Sequence, residues 1–331
     1  HPNTTTHLHL QPQQHPTHTT MKFVAATHNI MDGLLWPELL LHYSKMQTTL
    51  AHPLGILTIQ ENVTVSVEDA SATQHDRATG TAKTKKTENT TTCAHLIASA
   101  LGSEFRVLSN ETKDSRLATV YNSRLFQLVG EPIVFELPRL AHLPLWNKLF
   151  IKSGQIEQKN ALVCDFQWCG SAPPQRAATT SSIPSTLRCI NFHLDAAGDN
   201  RHRITQMASM RELTSSTTVA ATIVSGDTNI FSVRNGVQAK DLNTAIGSLG
   251  SLLSAKDQHG QSVTHRPTHW FSRANEPTAI HQFGVFLGKM GLDLPQCYDV
   301  ILTDLKVVDR AQISTPDCSD HDIVHVTIEH T

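Results

Sequence analysis

The sequence predicts an α/β fold in which two packed sheets carry helices on their outer sides. Short apolar runs typical of buried strands recur along most of the chain, with fewer helical segments between them. Strict alternation of strands and helices is absent, as is the glycine-rich first turn of a doubly wound nucleotide-binding fold. The 331 residues, of which 39% are hydrophobic, suffice for one large domain with a sizeable core.

The first folded elements are expected shortly after residue 20. A strand is predicted over 22–29 and a buried strand over 55–60. Between them lies a helix with Pro37 near its first turn, where the missing N–H costs nothing. Its apolar face is formed by Leu39, Tyr43, Met46 and Leu50, which recur at steps of three and four residues.

The later elements follow the same pattern of apolar runs. We expect helices over 93–101 and 200–213, and strands over 116–122, 161–168, 187–192, 221–225, 298–303 and 323–328. Residues 1–20 are mainly Thr, His, Pro and Gln and predict a disordered tail, with a metal-binding tail as the alternative. Residues 21–331 then form a single domain with flexible insertions near 66–92 and 170–186.

Composition excludes several classes of protein. The net charge of −2 gives no overall basic field, so a polyanionic substrate would need a local patch or a bound metal. The six cysteines form no CxxC pair, which argues against a structural zinc site. No run approaches the roughly 18 apolar residues of a membrane span, so we expect no stable membrane insertion. We expect a monomer. Its thiols are expected to be reduced, which favours an intracellular location in the cytoplasm or nucleus.

Five polar motifs each stand at the carboxyl end or exit of an apolar strand. Polar groups at strand ends can converge on one rim of a sheet. Their acids, amides and histidines suit coordination of a hard metal and acid–base work at a phosphate. The motifs are Thr27-His28-Asn29, Ile59-Gln60-Glu61, Asn191-Phe192-His193-Leu194-Asp195, Ser225-Gly226-Asp227-Thr228-Asn229 and Cys318-Ser319-Asp320-His321.

Each motif taken alone also has an ordinary structural explanation. Glu61 fits a solvated strand end, Asn29 a helix cap, and His193 a core histidine bonded to the backbone. Residues 227–229 fit a turn, because Asp and Asn favour turns. The joint appearance of the motifs in one order favours a functional site.

That order resembles the endonuclease/exonuclease/phosphatase superfamily, from about Phe23 to Ile328. Its most specific pieces are Gly226-Asp227-Thr228-Asn229 and Ser319-Asp320-His321. The resemblance implies a four-layered α/β sandwich with mostly antiparallel sheets. Residues 27–34 (THNIMDGL) also resemble the first motif of tyrosyl-DNA phosphodiesterases, although His28 stands where those enzymes usually have an aromatic residue.

The resemblance also implies a role for each motif residue. Glu61 would be the principal ligand of Mg²⁺, with Asn29 and Asp320 beside it, and Mn²⁺ would suit the same oxygen ligands. Among the catalytic residues, Asp227 would align or deprotonate the attacking water, and Asn229 and His193 would hydrogen-bond phosphate oxygens. His321 would contact the scissile phosphate while Asp299 orients its ring.

Three further residues are candidates for substrate contact. Tyr121 would line the site, with a core tyrosine as the alternative, and Asn160 would face the rim, with a strand-start cap as the alternative. Trp270 stands where relatives carry a substrate-facing aromatic residue and could stack on a base or adduct. A partly buried loop tryptophan is its alternative.

The sequence favours a metal-dependent phosphodiesterase acting on nucleic acid, at DNA or RNA ends. The first alternative is a lipid or small-molecule phosphoesterase of sphingomyelinase-like or inositol-phosphatase-like type, which the near-neutral charge permits. The second is an inactive scaffold of the same fold. A scaffold would be expected to have lost acids or histidines, and all of the motif residues are present.

Overall fold

The computed structural model describes residues 21–30, 36–66, 90–109, 116–142, 158–169, 186–196, 198–215, 219–229, 241–247, 249, 264, 297–315, 318–319 and 321–330. The expected tail over 1–20 and most of the two expected insertions lie outside these residues. None of the helices in the described ranges has the length and apolar character that a membrane crossing requires.

The described residues form an α/β fold that consists mainly of strands. The strands are β1 (Met21–Asn29), β2 (Leu54–Gln60), β3 (Thr64–Ser66), β4 (Thr90–Thr92), β5 (Phe105–Ser109), β6 (Ala118–Asn122), β7 (Phe126–Glu136), β8 (Asn160–Trp168), β9 (Thr186–His193), β10 (Ala221–Asp227), β11 (Asp299–Thr303), β12 (Lys306–Ile313) and β13 (Ile323–His330). The helices include α1 (Trp36–Thr49), α2 (Cys93–Leu101), α3 (Asn200–Ser209) and α4 (Arg211–Thr214), and residues 241–245 are also helical.

Two large mixed sheets organise these strands. One has the order β12-β13-β1-β2-β6-β5 and the other β11-β10-β9-β8-β7, while β3 and β4 form a separate pair. Each large sheet contains one parallel pair, β1 with β2 and β9 with β10, and its other pairs are antiparallel. Because parallel neighbours end on the same side, each sheet presents two adjacent carboxyl ends at one edge.

Three buried apolar clusters explain how these elements pack. One joins α1 and α2 to β1 and β2, through residues such as Leu39, Met46 and Ile97. A second joins the facing sides of the two sheets, with Phe23 and Ile56 from one and Phe166 and Ile223 from the other. A third joins α3 to β8–β11. Burial of apolar side chains from both sheets is the main stabilising contribution to this core.

The long predicted elements agree with the structure to within a few residues. The helix over 93–101 is confirmed as α2, with the Thr92 hydroxyl accepting the His95 N–H as its N-cap. The helix expected over 200–213 is interrupted at Met210 and continues as α4. Thr90–Thr92, which we placed in a flexible insertion, instead pair with β3.

Candidate active site

The ends of four strands meet at one edge of the two sheets. Asn29 and Gln60 end the parallel neighbours β1 and β2, and Glu61 follows directly. His193 and Asp227 end the parallel neighbours β9 and β10. The sheets face each other, so the motif side chains of both are brought to one rim.

Two antiparallel strands begin at the same rim. Asp299, the first residue of β11, lies opposite Asp227 in the register. His321 precedes β13, whose partner β1 runs in the opposite direction. Antiparallel pairing therefore adds residues from strand starts to those from strand ends.

The backbone near these residues is closely constrained. A Cβ at Gly226 would lie 1.9 Å from the Phe192 backbone oxygen, so only glycine permits this approach of β10 to β9. Glu61 and Asn229 have positive φ values of 59° and 49°. Such values are uncommon for residues other than glycine and concentrate at functional sites.

The Asn29 amide connects the acids of the two sheets. Its Nδ2 donates to Asp227 Oδ2 at 2.9 Å and to Glu61 Oε1 at 3.2 Å. Asp227 is 1% exposed and Glu61 retains 23% of its side-chain exposure. The cluster therefore contains one buried carboxylate and one that faces the opening.

The surroundings of Asp227 favour its charged form. Burial raises the pKa of this carboxyl, but the His321 side chain, the Asn29 amide and the Asn229 backbone N–H outweigh burial, and the net pKa lies below its ordinary value. The Asn229 N–H donates to Oδ1 at 2.7 Å. Asp227 is thus a carboxylate held by two donors, which suits it to align or deprotonate water.

His193 remains neutral in this setting. Burial, followed by the positive charge of Lys159, lowers the pKa of His193 to about 3. Its Nε2 lies 3.6 Å from Asp227 Oδ2 and 4.0 Å from Glu61 Oε1. A neutral imidazole still carries one N–H, so His193 is suited to donate a hydrogen bond without adding charge.

Asp299 and His321 form a buried pair. His321 Nδ1 lies 2.7 Å from Asp299 Oδ2, and its Nε2 lies 3.9 Å from Asp227 Oδ2. Burial raises the pKa of Asp299, while the hydrogen bond with His321 opposes the rise. An acid bonded to one ring nitrogen fixes the orientation of the imidazole and directs the other nitrogen into the rim.

Two asparagines complete the polar lining. Asn229 Nδ2 donates to the Leu194 carbonyl at 3.0 Å, which ties the β10 exit to the β9 exit. Asn160 begins β8, one register position from the Ala161–Phe192 pair, and therefore lies beside His193. It is 6% exposed, and its Oδ1 lacks a hydrogen-bond partner among the described residues.

These side chains fit a hard divalent cation. Asp227 and Glu61 supply carboxylate oxygens that both accept from the Asn29 amide within one hydrogen-bonded cluster. Oxygen ligands of this kind suit Mg²⁺ and Mn²⁺. A cation would also offset the negative charges that the single Asn29 amide holds close together.

One predicted substrate-contact residue, Tyr121, is not brought to this rim. Tyr121 pairs with Ile56, three residues from the end of β6 that adjoins the site, and its ring packs on Phe166 at 5.0 Å. The core alternative for Tyr121 therefore agrees with the structure. Asp320 and Trp270 lie outside the described residues.

Several residues with supporting roles were not singled out from the sequence. Gln60 Nε2 donates to Asn191 Oδ1 at 2.8 Å, joining the two sheets directly beneath the rim. The Ser319 hydroxyl donates to the Asn29 carbonyl at 2.9 Å and accepts the His321 N–H. These residues stand inside the polar motifs, so their positions at strand ends were the available signal.

Comparison with known proteins supports the fold. No family model and no curated protein matches this sequence. A structure of an endonuclease/exonuclease/phosphatase from Bacteroides vulgatus has a TM-score of 0.55 and 12% identity, covering 95% of this chain and 100% of that one. D. rerio TDP2 complexed with a single-strand DNA product has a TM-score of 0.52 and 13% identity, covering 95% of this chain and 100% of that one.

A Bacteroides thetaiotaomicron mannosyl-6-phosphatase is similar to the same extent. Its TM-score is 0.51 at 13% identity, with 92% of this chain and 99% of that one covered. Likenesses at this level of identity show the fold alone. The chain therefore has the endonuclease/exonuclease/phosphatase fold, as the order of its motifs predicts.

Proposed function

We propose that this protein is a divalent-metal-dependent phosphoesterase that hydrolyses a phosphodiester by attack of water. The observation that carries the proposal is the meeting of Asn29, Glu61 and Asp227 with His193 and His321 at one rim. Acids, amides and imidazoles from separate strands have no structural need to converge there. We further infer that the complete domain is a four-layered sandwich, with helices covering the outer side of each sheet.

The metal would be held by Glu61 and by Asn29, whose side-chain amide would turn its oxygen toward the ion, with Asp320 as a further ligand. Mg²⁺ is the expected ion and Mn²⁺ would serve with the same oxygen ligands. When bound, the ion would supply positive charge to the phosphate oxygens. Arg116 and Lys159 add positive charge, since both lower the pKa of His193.

Asp227 would receive a proton from the attacking water. Its pKa below the ordinary value keeps it ionised, and hydrogen bonds from Asn29 and the Asn229 backbone fix its orientation. The water oxygen bonds to phosphorus as the bond from phosphorus to the leaving oxygen breaks. A carboxylate held in this way can orient the water and accept its proton at neutral pH.

The two histidines would stabilise the charge that develops on the phosphoryl oxygens. His193 donates as a neutral imidazole, while His321 donates through Nε2 with its other nitrogen held by Asp299. Asn229, through the second hydrogen of the Nδ2 that donates to Leu194, and Asn160 would add amide donors at the same rim. Donors already fixed in place stabilise such charge without further reorganisation.

Nucleic acid ends are the substrate class that we favour. The first motif, continuing through Asp32-Gly33-Leu34, resembles that of enzymes acting on DNA ends, and the similar TDP2 structure is complexed with a single-strand DNA product. The alternative is a lipid or small-molecule phosphoesterase. It is supported by the net charge of −2 and by the similar mannosyl-6-phosphatase.

A panel of substrates assayed with Mg²⁺ tests both proposals. The panel comprises single-stranded DNA, poly(A) RNA, a 5′-tyrosyl oligonucleotide, sphingomyelin, inositol polyphosphates and a hexose 6-phosphate. We expect turnover of at least one nucleic acid, lost in Glu61→Gln and His321→Gln and retained in Glu131→Gln, whose side chain is exposed on β7. Turnover confined to the other substrates would favour the lipid or small-molecule phosphoesterase over an enzyme of nucleic acid ends. Turnover that survives both site variants would refute the site.

A further inference from the structure

A histidine that departs from the family pattern lies directly behind the catalytic rim. His28 precedes Asn29 in β1 and is 0% exposed. Its ring lies between helix α1 and the segment that carries His321 and is shielded from solvent. The predicted chemistry gives this residue no task, yet both ring nitrogens have hydrogen-bond partners.

The directions of these hydrogen bonds follow from the partners. His28 Nε2 lies 3.1 Å from the His321 backbone oxygen, which can only accept, so Nε2 carries the proton. In the neutral ring Nδ1 is then an acceptor, and it lies 2.8 Å from the Tyr43 hydroxyl. Burial raises the pKa of Tyr43 well above its ordinary value, so the hydroxyl remains a donor.

The His321 backbone is therefore held on both of its sides. The Thr315 hydroxyl donates to the same His321 carbonyl that accepts from His28. On the amide side, the His321 N–H donates to Ser319 Oγ, whose hydroxyl donates to the Asn29 carbonyl. Residues 28 and 29 of β1 thus fix the position of His321 through two separate routes.

We infer that His28 and Tyr43 are positioning residues that fix His321 against Asp227 and the metal-binding side of the rim. Asp299 fixes only the rotation of the imidazole, whereas the place of the ring depends on the backbone that carries it. His321 Nε2 stands 3.9 Å from Asp227 Oδ2. A phosphoryl group reacting at this rim would have to lie close to both atoms. Displacement of a catalytic group by about 1 Å can lower the rate by about 100-fold.

This inference rests on the proposed function, and its test uses His28→Phe, His28→Gln and Tyr43→Phe. His28→Phe keeps a ring but removes both hydrogen bonds, and we expect kcat to fall by about 10- to 100-fold with KM nearly unchanged. His28→Gln restores a donor and should recover part of that loss. Tyr43→Phe removes one hydroxyl and should lower kcat by about 2- to 12-fold.

Leu39→Val provides a stability control on the same helix, because it weakens the packing of α1 without touching this chain of hydrogen bonds. We expect its kcat to be that of the wild type. Unchanged kcat in both His28→Phe and Tyr43→Phe would overturn the inference. So would equal losses in His28→Phe and His28→Gln, because the donor would then have no role.

NMR spectra of the histidine ring nitrogens separate this inference from the proposed function. They are recorded without substrate, so they remain informative even if no substrate in the panel is turned over. We expect the His321 ring signals to move or broaden in Tyr43→Phe and His28→Phe, and to remain in place in Leu39→Val. Unchanged His321 signals in the first two variants would overturn the inference.

Discussion

The single Asn29 amide hydrogen-bonds to carboxylates from both sheets. Asp227 and Glu61 accept from the same Nδ2, and His193 lies within 4.0 Å of both acids. Negative charges this close repel each other unless hydrogen bonds and a positive charge offset them. The arrangement is therefore one that a cation and an anionic phosphate ester would complete.

At the same scale, Asp299 and His321 should act as a unit. Asp299→Asn is expected to lower kcat by about 100-fold or more, because the ring loses its fixed tautomer and orientation. The double variant with His321→Gln should be no slower than His321→Gln alone, since residues acting as a unit are non-additive. Steady-state kinetics of the four proteins would check this, and multiplicative losses would contradict it.

His193 should make the metal-free protein sensitive to mild acid. Its pKa of about 3 lies below the ordinary 6.5, so between these values the unfolded chain binds the extra proton. Above pH 6.5 the ring is neutral in both the folded and the unfolded chain and does not affect stability. As the pH falls below that value, the free energy of unfolding decreases by up to about 1.4 kcal/mol per pH unit. Urea unfolding at several pH values measures this slope.

His193→Gln is the matching variant for that measurement. It should unfold with a shallower dependence on pH below 6.5, because the titrating ring is gone. Equal slopes in the two proteins would mean that the loss of stability in acid does not arise from His193.

At the scale of elements, the carboxyl ends of β9 and β10 depend on one glycine. Gly226→Ala would place a Cβ 1.9 Å from the Phe192 backbone oxygen, and backbone cannot rotate away as a side chain can. We expect the free energy of unfolding to fall by more than about 2 kcal/mol, as measured in urea.

Gly130→Ala is a control for the positive φ of Gly226. Gly130 also has a positive φ, 71°, yet a Cβ there would meet nothing within 4 Å. Its substitution should cost only about 1 kcal/mol. Similar losses in both variants would show that the contact with Phe192 is unimportant.

Central strands and helices could be predicted from the sequence because their apolar pattern is continuous. The segment Ala221–Asp227 is buried throughout, and α2 follows a clear helical repeat. The strands β5, β7 and β12 were not predicted, because they stand at or beside sheet edges and mix exposed with buried residues. Each of them pairs with the next strand of the chain, and this pairing sets its place more than a local apolar pattern does.

The candidate site was more predictable than the residues that support it. Asn29 and Asp227 end buried strands and Glu61 follows one. The parallel pairings align the strand ends within each sheet, and the facing of the two sheets brings these ends together. Tyr121 has the same strand context but lies three positions along β6, where it packs against the core. Its register could not be known without the pairing of β6 with β2.

At the scale of the whole molecule, a buried polar network joins the two sheets beneath the rim. Gln60 donates to Asn191, and the Asn191 amide donates to the Ile59 and Ala118 carbonyls at 3.1 and 2.9 Å. The Thr58 and Ser225 hydroxyls also hydrogen-bond across the sheets at 2.8 Å, and apolar side chains pack between the sheets further from the rim. Directional bonds at this end fix how the sheets, and hence the halves of the site, lie relative to each other.

Asn191→Leu should therefore lower both stability and activity. It leaves two buried carbonyls and Gln60 without their donor or acceptor, at a cost of about 1–3 kcal/mol for each unsatisfied group. Chemical denaturation and kcat would both report the change. Gln127→Leu, at an exposed position of β7, is the control and should stay within about 0.5 kcal/mol. A similarly small effect of Asn191→Leu would contradict this role.

The central claim is that Asn29 and Glu61, at the ends of β1 and β2, hold one divalent ion at the rim where both sheets meet. Binding of Mn²⁺, followed by electron paramagnetic resonance in the wild type, Glu61→Gln and Glu131→Gln, tests it most directly. We predict saturable binding in the wild type that weakens by more than about tenfold in Glu61→Gln and is unchanged in Glu131→Gln. Mn²⁺ binding that is equally strong in Glu61→Gln, or absent from the wild type, would contradict the claim.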